Sequence, residues 1–272
     1  MKTVLFDMDG TLTEARKPIK SDMVECIDRL SKFANIGIVT GSPKDYIVEQ
    51  LKLGIETWDA KTLRKITYYP CNGTQVYAYD KFLMSLEEKS SVTIKDYLET
   101  KGDSDLLYTH MIMNLLDLQS HAVKTYKDLK PVGHFISYRG SLVNWSMVGR
   151  EATHEDREAF VKVDKELDIR KNLRSILRHR FDVFGLETIE LALGGSTSID
   201  IYPAGWDKTY VLNHVDEKDS WFFGDKCEPG GNDYALYEKL KDDNRSFKVV
   251  SPDETIKKVE ILITQLEREA NE

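Results

Sequence analysis

Short apolar runs alternate with amphipathic segments at the beginning of the chain. Thr3 to Asp7 is an apolar run that ends in an acid, which is typical of a buried parallel strand that reaches the edge of a sheet. Ser21 is the predicted cap of the following helix, whose apolar face contains Met23, Ile27, Leu30 and Ala34. A second strand is predicted from Ile36 to Thr40, and Ser42 then caps a helix with Pro43 at its first position. This order predicts an α/β unit.

The end of the chain repeats the same alternation. Residues 221–223 and 248–250 are two further strand-like runs. Ser251 and Glu254 predict a capping box for the last helix, whose buried stripe contains Ile256, Val259, Ile263 and Leu266. We therefore expect both ends of the chain to form one parallel, Rossmann-like α/β core.

The middle of the chain has a different pattern. Residues 134–139 and 142–148 are predicted to form an antiparallel hairpin, because apolar and polar positions alternate on either side of a Gly-Ser turn. A helix is predicted from Thr153, and a further strand segment covers residues 189–202. The expected fold is thus an α/β core, residues 1–83 and 204–272, with an inserted α+β cap domain, residues 84–203.

Composition and charge narrow the classes of protein that remain. Among 272 residues, 41% are hydrophobic, which argues against disorder, and no apolar run approaches the roughly 20 residues that span a bilayer. A net charge of -8 disfavours nucleic acid as a partner, because duplex binding depends on basic residues. Three widely spaced cysteines and an early carboxylate at Asp7, where a signal peptide would be apolar, predict a cytoplasmic protein without membrane partners.

Two carboxylates leave the end of the first predicted strand. Asp7 and Asp9 are two residues apart in a glycine-containing loop, and ligands of open α/β sheets bind at the carboxyl ends of the strands. Carboxylates at this spacing repel each other unless a cation or a proton separates them. Mg²⁺ prefers such oxygen ligands, so the sequence predicts a magnesium site at this loop, with an acidic turn of no function as the alternative.

The sequence Asp-x-Asp-Gly-Thr at residues 7–11 resembles the first motif of the haloacid dehalogenase superfamily of phosphotransferases. The resemblance implies that Asp7 is the nucleophile that attacks phosphorus and that Asp9 is the general acid or base. Thr40, with Ser42 as the competing choice, would then bind the phosphoryl oxygens.

Three later residues complete the set that this resemblance implies. Lys208 begins a helical stretch, where a cation is unfavourable unless an anion accompanies it. Asp225 follows a predicted strand and is the expected third metal ligand after Asp7 and Asp9, and Asp233 is expected to hold a metal-bound water. The alternative for Asp225 and Asp233 is a purely structural role.

Longer segments resemble the eukaryotic-type phosphomannomutases. They are residues 7–16, 135–139, 148–150, 155–157, 198–210, 222–226 and 230–233. The resemblance implies interconversion of mannose 6-phosphate and mannose 1-phosphate, with Mg²⁺, a hexose 1,6-bisphosphate activator, and a homodimer formed through the cap. One departure is Cys71, which stands where relatives have glutamate in a Glu-Asn-Gly sequence.

The chemistry of a sugar bisphosphate gives the arginines a role. While one phosphate is at Asp7, the other needs a second anion site, and the planar fork of arginine suits phosphate. The expected substrate-binding residues are Arg16, Arg139, Arg150, Arg157, Ser198 and Asp200, with Asp200 assigned to sugar hydroxyls by resemblance. The alternatives are solvated surface charges and the wet face of a strand. For the whole chain, the alternatives are a sugar-phosphate phosphatase and a non-catalytic sugar-phosphate binding protein.

Overall fold

The protein is described by a computed structural model that covers residues 2–271, apart from the side chains of residues 243, 270 and 271. The chain divides into two compact units. The first contains the chain up to Ser91 and again from Gly205, and the second is Val92–Ala204. The second unit is therefore inserted into the first.

Strands and helices both occur throughout the chain. The strands are β1 (Thr3–Asp7), β2 (Asn35–Val39), β3 (Ile66–Tyr69), β4 (Gln75–Asp80), β5 (Ser85–Ser91), β6 (Ile136–Tyr138), β7 (Val143–Ser146), β8 (Ile189–Gly194), β9 (Ser198–Pro203), β10 (Ser220–Gly224) and β11 (Ser246–Lys248). The helices are α1 (Ser21–Ser31), α2 (Lys44–Gln50), α3 (Lys52–Thr57), α4 (Ala60–Leu63), α5 (Ile94–Glu99), α6 (Ser104–Thr125), α7 (His154–Leu167), α8 (Ile169–Val183), α9 (Tyr234–Leu240) and α10 (Pro252–Asn271).

A seven-stranded sheet organises the first unit. Its order is β11-β10-β1-β2-β3-β4-β5, and the strands from β11 to β3 are parallel. β1 lies at the centre of the parallel part and is buried along its whole length, which explains its continuous apolar run. β4 and β5 are antiparallel additions at one edge. This arrangement places the carboxyl ends of β2, β1 and β10 side by side.

The hairpin of β4 and β5 explains where the two units divide. The sequence predicted the cap from residue 84, whereas β5, Ser85–Ser91, pairs with β4 and belongs to the first unit. β5 is mostly polar, and Leu86 is its only large apolar residue. The sequence of β5 therefore does not indicate a strand that pairs with the sheet of the first unit.

A four-stranded antiparallel sheet organises the second unit. Its order is β6-β7-β9-β8, and the predicted hairpin of β6 and β7 is present. Helices α5 to α8 contribute to a separate apolar core that contains Trp145 and Phe181, both fully buried. Thr153 caps α7 in a capping box with Asp156, so the predicted start of that helix is confirmed.

Three predicted helix starts differ in detail from the structure. Ser21 is the first residue of α1 and Lys20 is its cap. Pro43 is the cap of α2 rather than its first residue. At α10 the predicted capping box is incomplete. The hydroxyl of Ser251 accepts from the amide of Glu254, but the Glu254 carboxylate accepts from the amide of Val250.

None of the helices within residues 2–271 is both long enough and apolar enough to cross a membrane.

Candidate active site

Three polar residues lie at neighbouring strand ends in the first unit. Asp7 is the last residue of β1, Thr40 follows β2, and Asp225 follows β10. β1 pairs in parallel with both β2 and β10, so these three residues lie at the same edge of the sheet. The fold therefore brings together, at the carboxyl ends of these strands, the residues for which the sequence predicted a chemical role.

Lys208 links two carboxylates at this edge. It begins a short 3₁₀ helix whose cap, Asp207, accepts a hydrogen bond from the amide of Thr209. Its ammonium donates to Asp7 and to Asp233, and its side chain is 1% exposed. A buried lysine needs such partners, because an unpaired buried charge is very costly.

Asp233 is held from two directions. Besides the bond from Lys208, it accepts a hydrogen bond of 2.9 Å from the amide of Lys226, and it is fully buried. The sequence assigned Asp233 only to a metal-bound water, so its ion pair with Lys208 was not anticipated. Asp233 therefore orients Lys208 as well as adding negative charge.

Burial and charge alter the pKa values of this group. Burial, followed by the charge of Asp233, raises the pKa of Asp7 to about 7. Burial also raises the pKa of Asp225. Burial alone would lower the pKa of Lys208, but the charges of Asp233 and Asp7 outweigh it and raise that pKa, so the lysine stays charged. The site thus carries more negative charge than one lysine can balance.

This excess of negative charge fits a divalent cation. Oxygen atoms of Asp7, Asp225 and Asp233 all lie within 4.8 Å of one another. Oδ1 of Asp225 is buried and has no hydrogen-bond partner in the described part of the chain, as expected of an atom that receives a metal. Three carboxylates against one ammonium leave two negative charges when all are ionised, which suits Mg²⁺.

Asp9 lies outside that group of three. Its Oδ1 accepts a hydrogen bond of 2.7 Å from the amide of Arg16, which has a positive φ of 59° and is exposed. The predicted role of the Asp9 side chain as a metal ligand therefore stays a prediction, as does its role as acid or base.

Gly10 is required by the close approach of the loop to Asp225. Its φ is +89°, and a Cβ at this position would collide with the carboxyl group of Asp225. The hydroxyl of Thr11, the next residue, is buried without a hydrogen-bond partner among the described residues. Thr40 is also buried, and its Oγ1 accepts from the amide of Ser42 at 3.1 Å, which leaves the hydroxyl proton for another acceptor.

The polar residues predicted in the second unit form a network on β7 and β9. Asp200 lies opposite Asn144, and Ser198 lies opposite Ser146. Nδ2 of Asn144 donates to Ser198 Oγ at 2.9 Å and to Asp200 Oδ1 at 2.6 Å. Burial raises the pKa of Asp200, while the Asn144 bond and the charges of Arg139 and Arg150 oppose that rise.

Arg157 is engaged by the protein itself. Its guanidinium donates to the carbonyl oxygens of Gly149, Arg150 and Ala152 and to Thr197 Oγ1. These bonds hold the loop that carries Arg150, so the observed contacts of Arg157 are structural. Its predicted contact with substrate stays a prediction.

Asn144 belongs to this network, although the sequence did not single it out. It stands between Val143 and Trp145, whose side chains are fully buried in the core. Because side chains alternate along a strand, the sequence already places Asn144 on the face of β7 opposite to Val143 and Trp145. This polar position on the face away from the core was the signal that could have identified it. What the sequence lacked was the register that sets Asn144 against Asp200.

Comparisons with known proteins identify phosphomannomutases as relatives of this chain. The model of a family described as eukaryotic phosphomannomutase matches residues 23–265. A phosphomannomutase of Schizosaccharomyces pombe is 34% identical over 93% of this chain and 91% of its own length. A phosphomannomutase of Arabidopsis thaliana is 34% identical over 95% of each chain.

Solved structures of similar fold are more distant in sequence. An IMP-bound IMP-nucleotidase of Plasmodium falciparum has a TM-score of 0.65 at 12% identity, covering 97% of this chain and 68% of its own. A trehalose-6-phosphate phosphatase related protein has a TM-score of 0.53 at 16% identity, and the match covers 98% of this chain and 99% of that protein's chain. The predicted fold class, a haloacid dehalogenase type core with an inserted cap, is confirmed.

Proposed function

Because the chain belongs to the eukaryotic phosphomannomutase family, we propose that it interconverts mannose 6-phosphate and mannose 1-phosphate through a phosphoryl group carried on Asp7. It is an enzyme of the phosphohexomutase type, as the sequence predicted. The observation that carries the proposal is the buried carboxylate of Asp7, held by Lys208 at the end of the central strand.

Asp7 is the proposed nucleophile. One of its carboxylate oxygens forms a bond to the phosphorus of a hexose 1,6-bisphosphate, and the bond from phosphorus to the sugar oxygen breaks. Asp9 donates a proton to the departing sugar oxygen, which becomes a hydroxyl. In the return step the free C6 hydroxyl of a mannose 1-phosphate attacks the aspartyl-phosphate, Asp9 takes its proton, and Asp7 is released as a hexose 1,6-bisphosphate forms. Transfer of the C1 phosphoryl group of this bisphosphate to Asp7 then yields mannose 6-phosphate.

Lys208, Thr40 and the metal ligands neutralise charge in this proposal. The Lys208 ammonium already touches Asp7, and the buried Thr40 hydroxyl is available to a phosphoryl oxygen. Mg²⁺ held by Asp7 and Asp225, with Asp233 beside them and Asp9 as the fourth predicted ligand, would supply positive charge for the transferred group. A site organised in advance in this way is where most of the rate enhancement of phosphoryl transfer arises.

The two units have different proposed roles. The first, predicted as residues 1–83 and 204–272, is the catalytic core. The second, predicted as residues 84–203, is the substrate-binding cap, and Asp200 with Arg139 and Arg150 forms its charged centre. Arg16, Arg157 and Ser198 are the further proposed substrate contacts. A hexose 1,6-bisphosphate is the proposed activator because it supplies the first phosphoryl group to Asp7.

One assay separates this function from its alternatives. Mannose 1-phosphate is incubated with the protein and Mg²⁺, with and without a catalytic amount of glucose 1,6-bisphosphate, and both mannose 6-phosphate and free phosphate are measured. We expect mannose 6-phosphate to form only when the bisphosphate is present. Steady release of phosphate without isomerisation would identify a phosphatase, and no reaction despite hexose phosphate binding would identify a binding protein.

A homodimer through the cap is also proposed. Helix α6 has an exposed apolar stripe of Leu106, Met113, Leu116 and Val123, between 38% and 58% exposed. Their spacing of seven, three and seven residues is that of a helix seam which packs against another helix. A second copy of the chain fits because it presents the same stripe in a two-fold arrangement.

The dimer is tested by light scattering during size exclusion. We expect the unaltered chain to elute as a dimer and Met113→Glu with Leu116→Glu to elute as a folded monomer. Ile261→Glu is the control, because Ile261 is 70% exposed on α10, away from this stripe in sequence. A monomeric unaltered chain would contradict the proposal.

A cytoplasmic location completes the proposal. Cys26, Cys71 and Cys227 are all buried, and none of them forms a disulfide. Cysteines kept as thiols are typical of a reducing compartment. Fractionation of cells that produce the protein at its natural level would place it with cytosolic markers, and recovery in a secretory fraction would contradict this.

A further inference from the structure

Asn144 lies at the middle of the polar face of the second sheet. It belongs to β7, which pairs with β6 on one side and with β9 on the other. Its side chain is 2% exposed, so an unpaired amide there would be costly. The contacts of this amide therefore matter to the stability and arrangement of its neighbours.

Both ends of the Asn144 amide contact residues already proposed to bind substrate. Nδ2 donates to Ser198 Oγ at 2.9 Å and to Asp200 Oδ1 at 2.6 Å. Oδ1 accepts from Arg150 Nη1 at 3.4 Å. One buried side chain thus joins an anion, a cation and a hydroxyl.

We propose that Asn144 is a positioning residue of the hexose-phosphate site, which holds Asp200, Ser198 and Arg150 in the arrangement that receives the ligand. This inference rests on the proposed function, since it needs those three residues to contact a hexose phosphate. Asn144 itself contacts no substrate in this proposal.

The network fixes which atoms stay available to a ligand. Ser198 Oγ donates its proton to the carbonyl of Gly194 at 2.7 Å and accepts from Asn144, which leaves one lone pair. Asp200 Oδ1 is engaged by Asn144, and a Cβ at Gly194 would collide with the same carboxyl group. Ser198 and Asp200 therefore present acceptors, which suit sugar hydroxyls, while Arg150 keeps donors for a phosphate.

The amide group of Asn144 connects Asp200 and Arg150 without adding a charge of its own. An amide can donate to Asp200 and accept from Arg150 at the same time, whereas neither a carboxylate nor an alkyl group can do both. Asn144→Asp would place a second acid against Asp200, so that one of the two carboxyl groups must bind a proton or be repelled. The charged groups that face this position are Asp200, Arg150 and Arg139.

The test is calorimetric titration of mannose 1-phosphate into the full-length protein with Mg²⁺. For Asn144→Ala we expect a Kd about tenfold to hundredfold higher, the range for lost hydrogen bonds to charged groups. For Asn144→Asp we expect a similar loss that is larger at pH 8 than at pH 5.5. The Kd for Mg²⁺, whose proposed ligands Asp7 and Asp225 lie in the first unit, should be the same in both variants as in the unaltered chain.

Asn114 provides the matched control. It is also a buried asparagine of the second unit, 9% exposed, and its Nδ2 donates to the carbonyl of His110 within α6. Asn114→Ala should lower the melting temperature without changing the Kd. If Asn144→Asp fails to fold, Asn144→Ala with this control carries the test.

The outcomes distinguish this inference from the proposed function. If the unaltered chain binds mannose 1-phosphate and Asn144→Ala binds it equally well, the positioning role is overturned while the proposed function stands. If the unaltered chain binds no hexose phosphate at all, the proposed function fails, and the variants are not needed to show it.

Discussion

Lys208 places its ammonium against the carboxylate of Asp7, although both side chains are almost completely buried. The same ammonium also contacts Asp233, so one cation serves two anions. A third acid, Asp225, completes the group that fits a divalent cation. We therefore expect the pairing of Asp7 with Lys208 to control both the stability and the chemistry of this edge of the sheet.

Removal of the Lys208 charge should impair both stability and turnover. Lys208→Met leaves Asp7 and Asp233 buried without their cation, so we expect the free energy of unfolding to fall by about 3–5 kcal/mol. We expect kcat to fall by ~10²–10³-fold, because the positive charge proposed to stabilise the transferred group is lost. Urea denaturation and steady-state kinetics measure the two effects.

Lys226→Met is the control for this change. Lys226 is 56% exposed and its ammonium is 4.0 Å from Asp225, so its loss should alter stability by less than about 1 kcal/mol. If both lysine variants behave alike, the buried ion pair has no special role.

Stability of the metal-free protein should depend on pH through Asp7. Its pKa is raised from 3.8 to about 7 in the folded chain, so the folded state binds a proton more tightly than the unfolded state. The free energy of unfolding should therefore fall as pH rises from about 4 to about 7. Mg²⁺ favours the ionised carboxylate, so its stabilising effect should be larger at pH 8 than at pH 5.5.

Denaturation with EDTA or with Mg²⁺ at the two pH values measures this dependence. Asp7→Asn is the reference, since it removes the titrating group and should remove most of the difference between the two pH values. A stabilisation by Mg²⁺ that is equal at both pH values in the unaltered chain would contradict the prediction.

Gly10→Ala should disturb the position of Asp225. The added Cβ collides with its carboxyl group, so we expect at least tenfold weaker binding of Mg²⁺ by calorimetry. Gly185→Ala is the control, because Gly185 has a positive φ of 73° with no atom within 4 Å of an added Cβ. Both changes should cost ~1–2 kcal/mol of stability, and only Gly10→Ala should affect the metal.

Arg150→Ala should affect sugar phosphates selectively. We expect kcat/KM for hexose phosphates to fall by at least ~10-fold, since a guanidinium proposed to bind phosphate is lost. Hydrolysis of a small generic phosphoester should change little, because in this proposal its single phosphate binds at Asp7. Equal losses on both substrates would place Arg150 in the scaffold.

Many elements of the fold could be predicted from the sequence because each depends on a short stretch of neighbouring residues. β1 and β10 are apolar runs that end beside an acid, and each forms as predicted. The capping box at Thr153 needs only four residues, and it is present. The apolar stripe of α10 is likewise buried at Val259, Ile263 and Leu266.

Other features depend on contacts between distant segments. The pairing of Lys208 with Asp233 joins the start of a 3₁₀ helix to the residue before α9, and the pairing of Asn144 with Asp200 depends on strand register. Arg157 resembles a ligand arginine in its sequence context, yet its donors are engaged by backbone carbonyls of a nearby loop. Such partners become visible only when the chain is folded.

The central claim is that Asp7 carries the phosphoryl group. The direct measurement uses glucose 1,6-bisphosphate with radioactive phosphate in a single turnover, followed by acid quenching and peptide mapping. We predict a hydroxylamine-sensitive label on the peptide that contains Asp7, and no label in Asp7→Asn. Isomerisation at the normal rate by Asp7→Asn, or a label on a different residue, would contradict this claim.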